Sequence, residues 1–253
     1  MGILTKIDYG ILHLTLDNPK QRNAINAAMF DEMTQALVAA ETDERVRVVL
    51  LRGDEHIFSA GADMTEQQTN PDEQDRAMTA FFDVLRTFNK PIVASVTGPA
   101  VGEAFSLLLY CDLVYAAKRA LFSMPSVALA RAPRFGATHL FVQAAGAPQA
   151  AEKLLLSEPI TSDEALQMCL ITGIYEDEDV DKVVAAKVAR LAVLPPNAVQ
   201  STKARINASR NALALHEIDD EEALYQAQRQ SPEAAEALKA FLEGRKPVFK
   251  PVE

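Results

Sequence analysis

Short apolar runs alternate with longer amphipathic segments through the first half of the chain. The apolar runs are bounded by Gly, Pro or Asp, as is typical of buried strands, and they span residues 11–17, 46–53, 91–98 and 111–117. Helical spacing fills the intervals: Asn26 can cap a helix through about residue 41, and residues 74–88 and 102–110 continue the pattern. This alternation predicts an α/β core.

Strand patterns almost disappear after residue 135, apart from one short strand near residue 173. Successive helices are predicted instead, at residues 135–145, 148–156, 162–170, 179–193, 197–209, 213–229 and 232–243. The two prolines of LPPN, residues 194–197, interrupt this series. We therefore expect a core at residues 1–194, followed by a helical C-terminal region at residues 195–253.

Composition restricts the class of protein. The 253 residues are 49% hydrophobic and 24% charged, which is enough apolar material for one large core. The formal net charge of −10, without a long basic stripe, argues against nucleic acid or an anionic membrane surface as a partner. No apolar run is long enough to cross a bilayer, and the first residues lack a signal-peptide pattern.

The two cysteines also restrict the setting. Cys111 and Cys169 lie in apolar surroundings without a CxxC or Cys/His grouping, which favours buried, reduced thiols over a disulfide or a metal site. We expect a cytoplasmic protein that holds no metal.

Two glycine-containing turns follow successive predicted strands. SAGAD lies within residues 52–64 and GPAVG within residues 97–105, and such small residues let a ligand approach the main chain. One interpretation is that each turn is only a tight connection between two elements. Alternatively, the two turns together aim two backbone N–H groups at one point, which is the construction of an oxyanion hole.

Several motifs, in this order and spacing, resemble the enoyl-CoA hydratase/isomerase, or crotonase, superfamily. They are NPKQRNAI (18–25), FSAGADM (58–64), PIVASVTGPAVGEAFSLLLYCDLVYAA (91–117), LFSMPSVALARAP (121–133) and AFLEGRKPVF (240–249). The GPAVG turn is most similar to that of the peroxisomal-type isomerases. The resemblance implies an α/β crotonase (ClpP-like) fold, a spiral of ββα units followed by a helical trimerisation region that also forms a lid over CoA.

The resemblance also implies acyl-CoA thioesters as substrates and no permanently bound cofactor, with CoA entering as part of the substrate. The oxyanion hole would consist of the N–H groups of Ala62 and Glu103. The adenine end of CoA would contact the backbone of Ala24, with Arg22 as a phosphate partner. A homotrimer or a homohexamer is expected.

The rest of the expected substrate site follows the same two turns. Ala60, Ala62, Asp63 and Met64 would line the path of the pantetheine and the acyl group, and Gly102 would also bind the substrate or CoA. Asp63 has a simpler interpretation as a helix cap, because Asp is a preferred residue at that position.

Three positions depart from the family pattern. Hydratases of the family use two glutamates as acid and base, and alignment of the turns places these at Ser106 and Ser126. The proton-shuttling glutamate of the peroxisomal-type isomerases would fall at Arg134. A serine hydroxyl is a poor base without a partner, so neither mechanism transfers residue by residue.

Two residues near the expected hole have alternative interpretations. The carboxylate of Glu103 is either a general base or a solvated or salt-bridged group, paired with Arg134 or Arg131. Ser106 lies one helical turn after Glu103 and shares a helix face with it, but it can also be interpreted as a small packing residue. Arg134 is either a surface or interface cation or a clamp for a substrate carboxylate, which a guanidinium can bind with two parallel hydrogen bonds.

The sequence therefore predicts an acyl-CoA enzyme that stabilises a thioester enolate, with enoyl-CoA isomerisation favoured. Two alternatives stay open. One is a CoA-binding scaffold that has lost catalysis, and the other is a CoA-ester hydrolase or decarboxylase in which Arg134 is the clamp.

Overall fold

The structure is a computed structural model that describes residues 2–211 and 214–249, with the side chains of 209–217 left out of the description. A six-stranded sheet forms its centre, in the order β1-β2-β3-β4-β6-β9. Its strands are β1 (Gly2–Asp8), β2 (Ile11–Asp17), β3 (Val48–Arg52), β4 (Ile92–Val96), β6 (Leu113–Ala117) and β9 (Gly173–Tyr175). β1 and β2 pair antiparallel and the other neighbours pair parallel.

Both faces of this sheet are covered, which explains why its central strands are continuous apolar runs. Helices α1 (Ala27–Thr42) and α3 (Pro71–Thr87) pack on one face, where the rings of Phe30 and Phe81 lie 5.6 Å apart. Helix α8 (Val180–Ala192) covers the opposite face. As predicted, Asn26 caps α1 by accepting a hydrogen bond from the N–H of Met29.

A second, smaller sheet runs beside the first and carries the two glycine turns. It contains β5 (Ala100–Val101), β7 (Leu121–Ser123) and β8 (Ile160–Thr161). Single bridges extend it by pairing Ser59 with Ala100 and Ile25 with Ala62. Each of β2, β3, β4 and β6 is thus followed by a segment of the small sheet and then by a helix, which is the predicted repetition of ββα units.

The remaining helices lie between and after these strands. They are α2 (Met64–Thr69), α4 (Glu103–Leu108), α5 (Ala137–Ala145), α6 (Ala147–Leu156), α7 (Ser162–Gln167), α9 (Pro196–Asn211), α10 (Ala214–Gln228) and α11 (Pro232–Leu242). In the C-terminal region α10 contacts α5, and α11 contacts α2 and the 3₁₀ turn Val127–Leu129. Residue 213, the start of one predicted helix, lies outside the described residues. Among the described helices, none is long and apolar enough to cross a membrane.

The structure corrects the expectation that both cysteines are buried. Cys111 is buried, but Cys169 is exposed. Helix α7 ends just before Cys169, which has a left-handed backbone conformation with a φ of 58°. The N–H of Leu170 donates to the carbonyl of Ala165 and closes the end of the helix with a turn. That turn directs the Cys169 side chain away from the core.

Candidate active site between the two glycine turns

The segment around Ala24 and the SAGAD turn form one continuous unit. The N–H of Ala60 donates to the carbonyl of Arg22, the N–H of Ile25 to that of Gly61, and the N–H of Asp63 to that of Ile25, at 2.8–3.0 Å. The Arg22 side chain is exposed and Ala24 is buried. The residues expected to meet the two ends of CoA are therefore fixed to each other by main-chain hydrogen bonds.

The SAGAD and GPAVG turns also lie against each other. The N–H of Val101 donates to the carbonyl of Ser59 at 3.0 Å, and the N–H of Ser59 donates to the carbonyl of Pro99 at 3.1 Å. Gly61 makes this approach possible: its φ is 92°, and a Cβ there would lie 2.6 Å from the carbonyl oxygen of Val101. Close packing and backbone conformation both require glycine at this position.

Ala62 and Glu103 come together at the junction of the two turns. The N–H of Ala62 donates to the Glu103 carboxylate, with 3.3 Å between the nitrogen and Oε2. Glu103 is the first residue of α4, and its own N–H has no acceptor among the described residues. The Glu103 carboxylate thus accepts from one of the two N–H groups that the family resemblance assigns to an oxyanion hole.

A small cavity, partly open to solvent, lies beside this junction and gathers the positions of the missing glutamates. Its wall contains Glu103, Ser106, Ser126 and Arg134, together with Met64, Gly102, Met124, Pro125, Leu129, Arg131, Ala132 and Tyr225. The Oγ of Ser106 lies 3.5 Å from the carbonyl oxygen of Gly102, at the limit of a hydrogen bond. Among the described residues, Glu103 is the one carboxylate in this wall.

Arg134 is part of a buried ion-pair network, so the interpretation as a surface cation is wrong. The residue is 4% exposed, and its guanidinium donates to Asp75 at 2.8 Å and to both carboxylate oxygens of Glu222 at 2.9 and 3.0 Å. It also stacks 3.9 Å from the ring centre of Tyr225. Burial lowers the pKa of Arg134, but Tyr225, Asp75 and Glu222 more than offset this effect and raise the pKa above its ordinary value.

The expected pairing of Glu103 with Arg134 or Arg131 is not what the described side chains show. Arg134 is occupied by its two carboxylates, and Nη1 of Arg131 donates to the Tyr225 hydroxyl at 3.1 Å. Burial raises the pKa of Tyr225, so the hydroxyl stays neutral at physiological pH. Glu103 keeps a carboxylate that is half-buried, faces the cavity and has no cationic partner among the described side chains.

Asp63 has the structural position expected of a helix cap. Its carboxylate accepts from the N–H groups of Thr65 and Glu66 at the start of α2. This cap fixes the direction in which α2 leaves the SAGAD turn, and it places Met64 in the cavity wall.

Tyr225 is the site residue that sequence reasoning missed. It lies on α10, is 3% exposed, and contacts both Arg131 and Arg134. The apolar spacing of α10 carries no signal for this role, because the arginines that identify it are about ninety residues away in the sequence.

The geometry can be compared with known proteins. A family model described as enoyl-CoA hydratase/isomerase matches residues 6–251. The 2,3-dehydroadipyl-CoA hydratase of Escherichia coli K12 is 30% identical over 246 residues, which are 95% of each chain. Enoyl-CoA delta isomerase 2 of Rattus norvegicus is 32% identical over 254 residues, which are 97% of this chain and 64% of that protein.

Solved structures agree with the family match. The crystal structure of an enoyl-CoA hydratase/isomerase from Pseudoalteromonas atlantica T6c superposes with a TM-score of 0.92 at 27% identity, and the match covers 99% of this chain and 100% of that one. The fold and the family model thus agree over nearly the whole length. The chain belongs to the enoyl-CoA hydratase/isomerase family of the crotonase superfamily.

Proposed function

We propose that the protein isomerises 3-enoyl-CoA thioesters to 2-enoyl-CoA thioesters. The N–H groups of Ala62 and Glu103 form the oxyanion hole, and the carboxylate of Glu103 moves the proton. The observation that carries this proposal is that one carboxylate, Glu103, lines the described wall of the cavity and lies within 3.3 Å of the Ala62 nitrogen.

The reaction needs one proton carrier. A base removes a proton from C2 of the acyl group, the electrons move onto the thioester oxygen, and the enolate is stabilised by the two N–H groups. The same carboxyl group then returns the proton to C4, the C3–C4 double bond becomes a C2–C3 double bond, and the base is regenerated. Addition of water, in contrast, needs one group to activate the water and another to supply the proton.

The other three candidate positions fit this assignment poorly. Ser106 and Ser126 carry hydroxyls, and the hydroxyl of Ser106 is not paired with a base among the described residues. Arg134 has its guanidinium bound by Asp75 and Glu222, which leaves the hydrolase or decarboxylase alternative without a free clamp at that position.

Substrate binding has to displace the Glu103 carboxylate from the Ala62 N–H. Once the carboxylate has accepted the C2 proton it is a neutral acid and does not repel the enolate charge, so only its position on the Ala62 N–H has to change. The thioester oxygen therefore takes over the Ala62 N–H, and the carboxylate turns towards the neighbouring C2. The CoA moiety lies along Arg22, Ala24, Ala60 and Met64.

The decisive test is the Glu103→Gln variant with trans-3-hexenoyl-CoA, followed by absorbance of the conjugated product. Loss of a general base typically lowers the rate about 10²- to 10⁴-fold, and we expect kcat to fall in that range while CoA binding is retained. Glu55→Gln is the matched control, since its side chain is 82% exposed and away from the cavity. Unchanged turnover in Glu103→Gln would remove Glu103 from the reaction.

A second candidate function is a CoA-binding protein without catalysis. The hydrogen bond between the Ala62 N–H and Glu103 favours it, because the chain fills its own oxyanion hole. Wild-type protein that binds hexanoyl-CoA but forms no product from 3-hexenoyl-CoA, crotonyl-CoA or malonyl-CoA would support this alternative. Carbon dioxide or free CoA among the products would instead indicate decarboxylation or hydrolysis.

We also propose that the helical region 195–253 assembles the chain into a trimer or a dimer of trimers. The support is the arrangement of α9, α10 and α11 as an appended helical layer after the prolines at 195 and 196. Sedimentation velocity distinguishes these states from a monomer by mass.

A further inference from the structure

A second cavity adjoins the reaction cavity, and Arg131 and Tyr225 belong to the walls of both. The second cavity is the larger of the two and is otherwise lined by Gln67, Pro71, Arg229, Gln230, Ala234 and Leu238. The exposed surface of its wall is mostly apolar, includes the half-buried guanidinium of Arg131, and does not include Glu103.

Arg131 differs from the other arginines of this region in its partners. Arg134 is bound by Asp75 and Glu222, and Arg229 is bound by Asp72 and Asp75. Of the side chains that the structure describes, no carboxylate lies within 4.0 Å of Arg131, whose contacts are the hydroxyl and the ring of Tyr225. A guanidinium at a cavity wall without a carboxylate partner is a binding group for a planar anion.

Neutral polar groups complete this environment. The Tyr225 hydroxyl accepts from Nε2 of Gln67 at 2.9 Å and from Arg131. Oε1 of Gln67 is buried and has no hydrogen-bond partner among the described residues. The Gln67 amide can be placed in two orientations, and in each of them one of its two polar atoms bonds to Tyr225 while the other has no partner among the described residues.

The small sheet shows which part of a ligand would reach Arg131. Its segments follow one another from residues 24–25 to residues 59–62, then β5, then β7. The segment expected to hold CoA lies on one side of Ala62, whereas Arg131 follows the 3₁₀ turn after β7 on the other side. If CoA lies along residues 22–24 as proposed, a thioester at the hole extends its acyl group, not its phosphates, towards Arg131.

We propose that Arg131 binds a carboxylate at the far end of the acyl group, so that the preferred substrates are CoA thioesters of dicarboxylic acids. The inference rests on the proposed function for the position of the thioester at Ala62 and Glu103. It adds a specificity-determining contact that the reaction itself does not require.

The test compares adipyl-CoA with hexanoyl-CoA, which have six-carbon chains ending in a carboxylate and in a methyl group. Isothermal titration measures Kd for both, so no turnover is needed. We expect wild-type protein to bind adipyl-CoA about tenfold more tightly, since a hydrogen bond to a charged group contributes about that factor. Arg131→Met should abolish this preference with hexanoyl-CoA unchanged, and Arg131→Lys should keep part of it.

Arg190→Met is the control, because it removes the same charge from an exposed position on α8. Equal affinities for the two ligands in the wild type would overturn the inference and leave the proposed function standing. Equal weakening of both ligands in Arg131→Met would also overturn it, because Arg131 would then contact a part that the ligands share. If neither ligand binds, the inference and the proposed function both fail.

Discussion

Replacement of Glu103 by alanine should change binding and turnover in opposite senses. The carboxylate of Glu103 accepts from the Ala62 N–H in the unliganded protein, so a thioester oxygen has to compete with it for that donor. Glu103→Ala keeps the main-chain N–H of residue 103 and removes the competitor. The variant should bind an unreactive acyl-CoA more tightly while it loses the proton carrier.

The size of the effect follows from the geometry. Hydrogen bonds to charged groups contribute about 1.5–3 kcal/mol. The 3.3 Å between the Ala62 nitrogen and Oε2 is longer than the roughly 2.7–2.9 Å of a strong charge-assisted bond, and Glu103 is half-exposed, so the low end applies. About 1.5 kcal/mol corresponds to a Kd about tenfold lower.

Titration calorimetry with hexanoyl-CoA measures this change directly. Glu103→Gln should give a smaller gain, because an amide oxygen still accepts from Ala62 but without a charge. The kcat for 3-hexenoyl-CoA should fall about 10²- to 10⁴-fold in both variants. If Glu103→Ala binds hexanoyl-CoA less tightly than the wild type, the carboxylate helps to hold the ligand, and the competition argument is refuted.

Two further predictions concern stability. Arg134→Met leaves Glu222 without its arginine, whereas Asp75 keeps Arg229, so we expect a loss of about 3 kcal/mol, the low end for breaking a buried ion pair. Calorimetry should show a melting temperature lower by about 6–12 °C, and a change below about 1 kcal/mol would contradict the network's role. Burial raises the pKa of the Glu221 carboxyl, so its ionisation costs folding stability as the pH rises. Glu221→Gln should therefore be more stable than the wild type at pH 7.5. The difference should disappear below about pH 4, where the wild-type carboxyl is protonated in both the folded and the unfolded state. A stability difference that does not change with pH would contradict this prediction.

The sequence was sufficient to predict the strands that are buried in the central sheet. The four apolar runs became β2, β3, β4 and β6 within two residues, because a strand covered on both sides has to be apolar throughout. β1 was missed, since residues 4–7 are all exposed and this edge strand has no apolar face that would mark it in the sequence. The strands of the small sheet have two or three residues each, too few to show a period.

The structure brings together the main-chain groups expected at the candidate site, whereas the side-chain partners around them were not foreseen. The resemblance to the family assigned Ala62 and Glu103 to the oxyanion hole, and the structure brings these two residues into contact. The partners of Arg134 are 59 and 88 residues away, so local spacing could not indicate that its charge is compensated inside the chain. A single sequence shows which groups are present, but pairing across the fold decides which of them are free to act.

Main-chain and side-chain contributions to this site are subject to different constraints. The N–H of residue 103 does not depend on its side chain, and the position of Ala62 is fixed by Gly61 and by the hydrogen bonds that join three segments of the small sheet. An oxyanion hole of main-chain N–H groups, as we propose here, does not depend on whether the surrounding positions carry carboxylates, serine or arginine. The acid/base group can then move within the cavity, provided that one carboxylate still reaches the carbon next to the thioester. On this argument the serines at 106 and 126 remove one route to proton transfer, and Glu103, which contacts the N–H of Ala62, is the group that we propose for another.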